Sequence, residues 1–180
     1  MIDICVNEIW FITGSQHLYG TKILRKVAAH TEEIVKSLNA NSEILVSIKD
    51  KGVVTTPEEI TSICQISNNE KNCIGLIFWM HTFSPAKMWI NGLKVLDIPF
   101  LHLHTQYNAE IPWSKIDMDF MNLNQSAHGD REFGFICSRL KINRKVVVGH
   151  WKDSKVIEKI NIWSRVASAH DDAKSGKVAR

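Results

Sequence analysis

Short apolar runs alternate along this chain of 180 residues with longer stretches that carry apolar residues at helical spacing. The apolar runs predict five strands, at residues 9–12, 44–48, 74–79, 99–103 and 146–148. The stretches of helical spacing predict helices that follow the strands, at residues 21–38, from 57 onward, and at 86–96, 126–141 and 154–169. This alternation is typical of a parallel sheet covered by helices on both faces.

Hydroxyl residues mark the starts of three predicted helices. The stretch Thr56-Pro57-Glu58-Glu59 predicts a capping box with proline in the first helical position. Ser84-Pro85 repeats the hydroxyl and proline, and Ser126 is predicted to cap a later helix. Residues 105–125 interrupt the alternation with a long mixed segment and a predicted short helix near 113–120. Long irregular loops in compact domains are often functional.

We therefore expect an α/β fold with a flavodoxin-like doubly wound, mostly parallel five-stranded sheet and helices on both faces. In such sheets the ligand approaches the carboxyl ends of the strands. Five segments rich in amides, histidines and aromatic residues should gather there, at 14–20, 80–84, 104–107, 122–129 and 148–151. Neutral amides and imidazoles beside aromatic rings suit a hydroxyl-rich ligand.

The composition fits an ordinary globular protein, with 44% hydrophobic and 23% charged residues. A net charge of +3 without a dense lysine and arginine stripe argues against a nucleic-acid partner. No apolar run approaches the ~20 residues of a membrane span, and the start lacks a signal-peptide pattern. The four cysteines form no CxxC pair, which favours buried thiols in a reducing compartment. We expect a cytoplasmic protein with neither a nucleic-acid nor a membrane partner.

The loop of residues 14–20 reads Gly-Ser-Gln-His-Leu-Tyr-Gly and joins the first strand to the first helix. It lacks the glycine spacing of phosphate-binding loops, and no GxSxG pattern indicates a serine hydrolase. Two interpretations remain open. The loop is either a packed turn in which Leu18 and Tyr19 cover the sheet end, or a loop that holds a ligand.

Two histidines, His102 and His104, lie on the same face of the predicted fourth strand. A metal site needs at least one more ligand, and no carboxylate is close to them in sequence, so hydrogen-bonded histidines are the expectation. Asp117-Met118-Asp119 resembles a metal-binding pattern but lacks a glycine-rich turn, which favours a capped short helix. Asp130 is expected in the first turn of a helix, where a carboxylate complements the helix dipole.

Several long, ungapped blocks carry a specific resemblance. They are Trp10-Phe11 with residues 14–20, then 81–93, 116–125, 127–129 and 131–135, and Gly149-His150-Trp151. Together these blocks, which spread over most of the chain, resemble the amino-terminal domain of the L-arabinose isomerase family. On this resemblance, residues 1–175 form that domain, and residues 176–180 begin the connection to a second domain.

The resemblance implies an aldose–ketose isomerase, an intramolecular oxidoreductase that interconverts L-arabinose and L-ribulose through an enediol. In the family a divalent metal, usually Mn²⁺, polarises the sugar oxygens while a pair of glutamates transfers the proton. Two glutamates and two histidines of later domains hold that metal. The resemblance therefore implies no catalytic residue and no metal ligand in this chain, which alone is expected to be inactive and to bind no Mn²⁺.

The family forms a homo-oligomer, a hexamer, in which the amino-terminal domain borders the active site of an adjacent subunit. By resemblance, the residues of this chain that line the sugar pocket are Gln16, Leu18, Phe83, Gln125 and His128. The two glutamines would bond sugar hydroxyls, Leu18 and Phe83 would form an apolar wall, and His128 would bond a terminal hydroxyl or orient the substrate.

Two other functions are compatible with the residues themselves. One is a non-catalytic module from a truncated gene, which binds sugar or assembles with other subunits. The other is a flavodoxin-like binder of a nucleotide or flavin, a default for the fold that lacks its motifs here.

Overall fold

Five strands form one sheet in the computed structural model, which describes residues 7–175. They are β1 (Glu8–Gly14), β2 (Ser47–Val54), β3 (Cys73–Met80), β4 (Phe100–His104) and β5 (Lys145–Val148). All neighbours pair in parallel, in the order β2-β1-β3-β4-β5. This order confirms the predicted flavodoxin-like sheet.

Six α-helices accompany the strands within the described residues. They are α1 (Gly20–Asn39), α2 (Pro57–Asn69), α3 (Ile90–Val95), α4 (Met118–Asn122), α5 (Ser126–Arg139) and α6 (Ser154–Ser175). Two short 3₁₀ helices precede α1 and α3, at His17–Tyr19 and Ala86–Trp89. The predicted connection at residues 176–180 lies outside the described residues.

The side-chain alternation of the strands divides the interior into two cores. On β1, Ile9 and Phe11 pack with α1 and α6, whereas Trp10 and Ile12 pack with α2, α3 and α5. Every residue of β3 is buried, because helices cover both of its faces. The continuous apolar run predicted as the third strand is therefore the centre of the sheet.

The second strand lies later in the sequence than predicted. Residues 44–46 precede the strand, which begins at Ser47 and pairs with β1 through Val54. Its start is fixed by Asn39 at the end of α1, whose side-chain amide donates to the Ile48 carbonyl at 2.8 Å and accepts from the Ile48 amide at 2.9 Å. The middle residues of β2 are polar, so no apolar run marks this strand in the sequence. An edge strand can form with little apolar surface.

One of the three predicted helix starts is confirmed, and two are wrong. Thr56 and Glu59 form the capping box at the start of α2. Ser84 instead accepts a hydrogen bond of 3.0 Å from the buried Trp89 indole, and the helix after it begins as a 3₁₀ turn. The Ser126 hydroxyl lies 2.8 Å from the carbonyl of Thr105, so it ties α5 to the end of β4 rather than capping the helix.

The prediction of buried thiols is confirmed for Cys64, Cys73 and Cys137, which are free and buried. Burial raises the pKa of Cys64 and of Cys73 to about 12, so these thiols stay protonated and unreactive at neutral pH. Cys5 lies outside the described residues.

Gly14 ends β1 in a tightly filled position. A Cβ atom there would lie 2.8 Å from the Trp89 ring, 2.9 Å from the Met80 sulfur and 2.9 Å from the Ser84 hydroxyl. This glycine is needed for close packing between the first loop and the residues after β3.

We predict that Gly14→Ala lowers the free energy of unfolding by about 1–3 kcal/mol, the usual cost of overpacking. Gly134→Ala is the matched control, because its Cβ would meet only the end of the Arg144 side chain, at 3.0 Å. In a helix that change should be neutral or stabilise by about 0.5–1 kcal/mol. Urea denaturation of both variants measures the difference, and equal midpoints would contradict the packing argument.

Candidate functional site

The carboxyl ends of four strands bring the predicted polar segments together at one edge, called here the carboxyl edge. The Ser15 and Thr82 hydroxyls, which follow β1 and β3, lie 2.7 Å apart. The Thr105 hydroxyl, after β4, accepts a 3.0 Å hydrogen bond from the Trp151 amide, after β5. The predicted gathering of these loops is confirmed, and these buried hydroxyls hold them in place.

Ser15 and His17 of the first loop make side-chain hydrogen bonds to neighbouring segments, and Leu18 is exposed. Ser15 bonds Thr82, and the His17 ring lies 2.9 Å from the Thr55 hydroxyl at the end of β2. Between them, the Gln16 side chain does not cap the following 3₁₀ helix, and Leu18 is 84% exposed. Leu18 therefore does not cover the sheet end, and the packed-turn interpretation fails for this residue.

The start of α5 meets two of the other loops. The Tyr19 hydroxyl donates to the Gln125 side-chain oxygen at 3.2 Å. The rings of Phe83 and His128 pack with their centroids 4.6 Å apart. Gln125, Phe83 and His128 are thus brought around one helix terminus, and Gln125 also lines a cleft of about 370 Å³ beside α4. That Gln16, Leu18, Phe83, Gln125 and His128 bind sugar stays a prediction.

A stack of rings packs against the middle of α1. His30 Nδ1 lies 2.7 Å from His81 Nε2, and the His30 ring stacks on Tyr107 with centroids 3.4 Å apart. The Tyr107 hydroxyl donates to Glu33. Burial lowers the pKa of His81 to about 3, so this imidazole is neutral at physiological pH and acts as a packed hydrogen-bonding group.

The two histidines of β4 belong to a hydrogen-bonded array, as predicted, but a carboxyl group completes it. His102 Nε2 lies 2.8 Å from Asp130 Oδ1, and His102 Nδ1 lies 3.1 Å from His104 Nε2. Asp130 is 2% exposed and His102 is fully buried. Burial raises the pKa of Asp130 to about 9 and lowers that of His102 to about 2. Both groups are therefore neutral near pH 7.

The prediction for Asp130 is wrong, because α5 begins at Ser126 and places Asp130 in its second turn, facing the sheet. A sequence signal was present. Asp130 lies three residues before Phe133 and seven before Cys137, on the apolar stripe that packs into the core. A carboxylate at such a position needs a buried partner, and His102 is that partner.

The array borders a cleft of about 360 Å³ between β4, β5 and α5. Its lining combines histidine, amide, hydroxyl and carboxyl groups with small apolar residues: His104, Thr105, Gln106, Asn108, Ala109, Ser126, Ala127, Asp130, Val148, Gly149 and His150.

Asp117 caps α4 through a 2.8 Å hydrogen bond from the Phe120 amide, which confirms the prediction of a capped short helix.

The fold and the carboxyl edge define a doubly wound α/β domain whose predicted ligand-binding groups lie on loops around the start of α5. Residues 3–175 match the family model described as the L-arabinose isomerase N-terminal domain. The chain belongs to this family.

Named relatives support this assignment over the whole described region. The L-arabinose isomerases of Flavobacterium johnsoniae and Koribacter versatilis are 62% and 58% identical to it over 180 residues, all of this chain and 36% of each relative. That of Vibrio parahaemolyticus is 60% identical over 174 residues, which are 97% of this chain and 35% of the relative. The chain thus spans about a third of the length of these relatives.

Among the described residues, no helix is long and apolar enough to cross a lipid bilayer.

The buried His81 predicts a measurable dependence of stability on pH. Its pKa falls from 6.5 to about 3 on folding, so between these values the unfolded chain binds a proton that the native state does not. The free energy of unfolding should therefore fall as pH drops through this window, by up to about 1.4 kcal/mol per pH unit for this group.

In His81→Gln the fall in stability between pH 7 and pH 5 should be shallower than in the parent chain. Urea denaturation at both pH values measures it. A variant whose stability falls in parallel with that of the parent would show that His81 is not held neutral by the fold.

Proposed function

We propose that this chain is the part of an L-arabinose isomerase that positions the sugar, while residues outside the chain carry out the aldose–ketose conversion. The observation that carries the proposal is the convergence of Phe83, Gln125 and His128 near the start of α5, beside the first loop, which carries Gln16 and contacts Gln125 through Tyr19. A fixed arrangement of polar and aromatic groups suits the positioning of a substrate.

The exposed groups of the first loop support a role at a contact with another surface. Leu18 is 84% exposed although the loop beneath it is fastened. In the proposal, Leu18 and Phe83 form the apolar wall of a pocket completed by an adjacent subunit of a hexamer. Gln16 and Gln125 bond the hydroxyls of L-arabinose or L-ribulose, and His128 bonds a terminal hydroxyl.

The described residues do not fit the Mn²⁺ that the family uses. Mn²⁺ favours a mainly oxygen ligand set, whereas the one ligand cluster found among the described residues is His102, His104 and Asp130. Its carboxyl group is buried, and its raised pKa keeps it protonated near pH 7. Asp117 is engaged as a helix cap. We infer that the Mn²⁺ and the acid–base carboxylates of the isomerase lie outside this chain.

We predict that the purified chain, supplied with Mn²⁺ and L-arabinose, forms no L-ribulose above the background of buffer with Mn²⁺. A colorimetric ketose assay, with a complete L-arabinose isomerase as the positive control, measures this. Turnover that co-purifies with the chain and is lost in Gln16→Ala would contradict the claim that residues elsewhere supply the chemistry.

In an assembled isomerase whose subunits carry this domain, we predict that Gln16→Ala lowers kcat/KM for L-arabinose. Loss of one hydrogen bond, worth about 0.5–1.5 kcal/mol, corresponds to a decrease of about 2–10-fold. Gln65→Ala is the matched control, since Gln65 is exposed on α2, away from the carboxyl edge. Equal kinetics for the two variants would remove Gln16 from the sugar pocket.

A further inference from the structure

Two imidazole nitrogens at the end of β4 have nearly the spacing of two ligands on one zinc ion. His102 Nδ1 and His104 Nε2 lie 3.1 Å apart. Two nitrogen ligands about 2.0–2.1 Å from a tetrahedral ion lie about 3.3 Å from each other. Ligand atoms of His102, His104 and Asp130 all lie within 4.8 Å of one another.

We propose that His102 and His104 bind Zn²⁺, or a divalent ion with the same preference for imidazole, at the edge of the cleft between β4, β5 and α5. The ion takes the place of the proton that the two rings share. Asp130 does not need to touch the ion, because it holds the other nitrogen of His102.

Asp130 supplies the orienting contact that zinc-bound histidines usually have. Its Oδ1 lies 2.8 Å from His102 Nε2, on the opposite side of the ring from His104. A carboxylate in this position fixes the tautomer and the orientation of the ring, and makes the ligating nitrogen more basic. With an ion in place of the proton between the two rings, the Asp130 proton would move to His102 Nε2. Asp130 would then be a carboxylate that accepts from this N–H and offsets part of the added positive charge.

The cleft gives the ion access and free coordination positions. His102 is fully buried, whereas His104 is partly exposed and lines the cleft of about 360 Å³. Two protein ligands leave at least two positions of a tetrahedral ion for water or a small molecule in the cleft. Catalytic zinc sites keep one open position beside three protein ligands, so a site with two protein ligands depends on water or a small molecule for the others and would hold its ion more weakly.

This site differs from a Mn²⁺ site in its ligand atoms, and the fold does not depend on the bound ion. Imidazole suits zinc, whereas Mn²⁺ favours oxygen ligands. The hydrogen bonds of the array are complete without an ion, so the fold does not require one. Arg144 acts electrostatically on both imidazoles, and its positive charge opposes a bound cation. The ion should therefore exchange readily.

Calorimetric titration of the 180-residue chain with ZnCl₂ tests the proposal, with MnCl₂ titrated in parallel. One Zn²⁺ should bind per chain, with Mn²⁺ binding more weakly. Asp130→Asn should lower the zinc affinity by about 10–100-fold, the usual effect of losing an orienting partner. His104→Gln should lower it at least as much, and it changes a partly exposed side chain, so the fold should persist.

His150→Gln is the matched control in the same cleft. Both ring nitrogens of His150 already have backbone partners, the Tyr107 carbonyl at 3.2 Å and the Lys152 amide at 3.3 Å. This variant should keep the affinity of the parent chain. A loss of affinity in His150→Gln that equals the loss in His104→Gln would overturn the assignment of the ligands.

Imidazole NMR signals of the parent chain give a second measurement that needs no variant. Zinc should shift the signals of His102 and His104 before those of the other histidines. The proposal is overturned if no saturable zinc binding occurs, if the affinity is unchanged in His104→Gln, or if zinc shifts other histidines first. Each of these outcomes leaves the sugar-positioning role untouched, because that role depends on different residues.

Discussion

Burial of both faces of the parallel sheet is the constraint from which the rest of the structure follows. Alternate residues of β1 enter different cores, so Ile9 and Phe11 pack on one face while Trp10 and Ile12 pack on the other. Helices occupy both faces, and polar groups are therefore displaced to the ends of the strands. The loops there are held by paired buried hydroxyls such as Ser15 and Thr82, because an unpaired polar group at that depth would be costly.

Helix α5 links the interior of the domain to its carboxyl edge. One side of the helix carries Asp130 into contact with β4, and Gly129 on the same side would place a Cβ 2.9 Å from Met80 and 3.1 Å from the Thr82 carbonyl. The first turn presents His128 to Phe83 outside the core. The position of the exposed groups is thus set by the close approach of the helix to the sheet.

The parallel sheet, its flavodoxin-like class and the edge where its polar loops gather could be predicted from the sequence, because strand burial and helix capping leave local signals. Thr56 and Glu59 lie at a spacing that only a capping box explains well, and β3 is a continuous apolar run. The position of edge strand β2 is not evident from the sequence because the middle of the strand is exposed and polar, while pairing with β1 and the contacts of Asn39 fix where it begins. The Asp130 contact joins residues 28 positions apart, and no local pattern specifies which buried partner a carboxyl group will find.

Gly14 has a consequence for how the first loop can change. Trp89, Met80 and Ser84 pack so closely around Gly14 that no Cβ atom fits there. This packing fixes where the loop leaves β1, independently of the side chains of Gln16 and Leu18. Substitutions of Gln16 and Leu18 can therefore change the contacts of the loop without moving its start at Gly14. In the proposed role, the residues that locate the loop are separate from those that contact the sugar, so the preference for one sugar over another would be adjustable at little cost in stability.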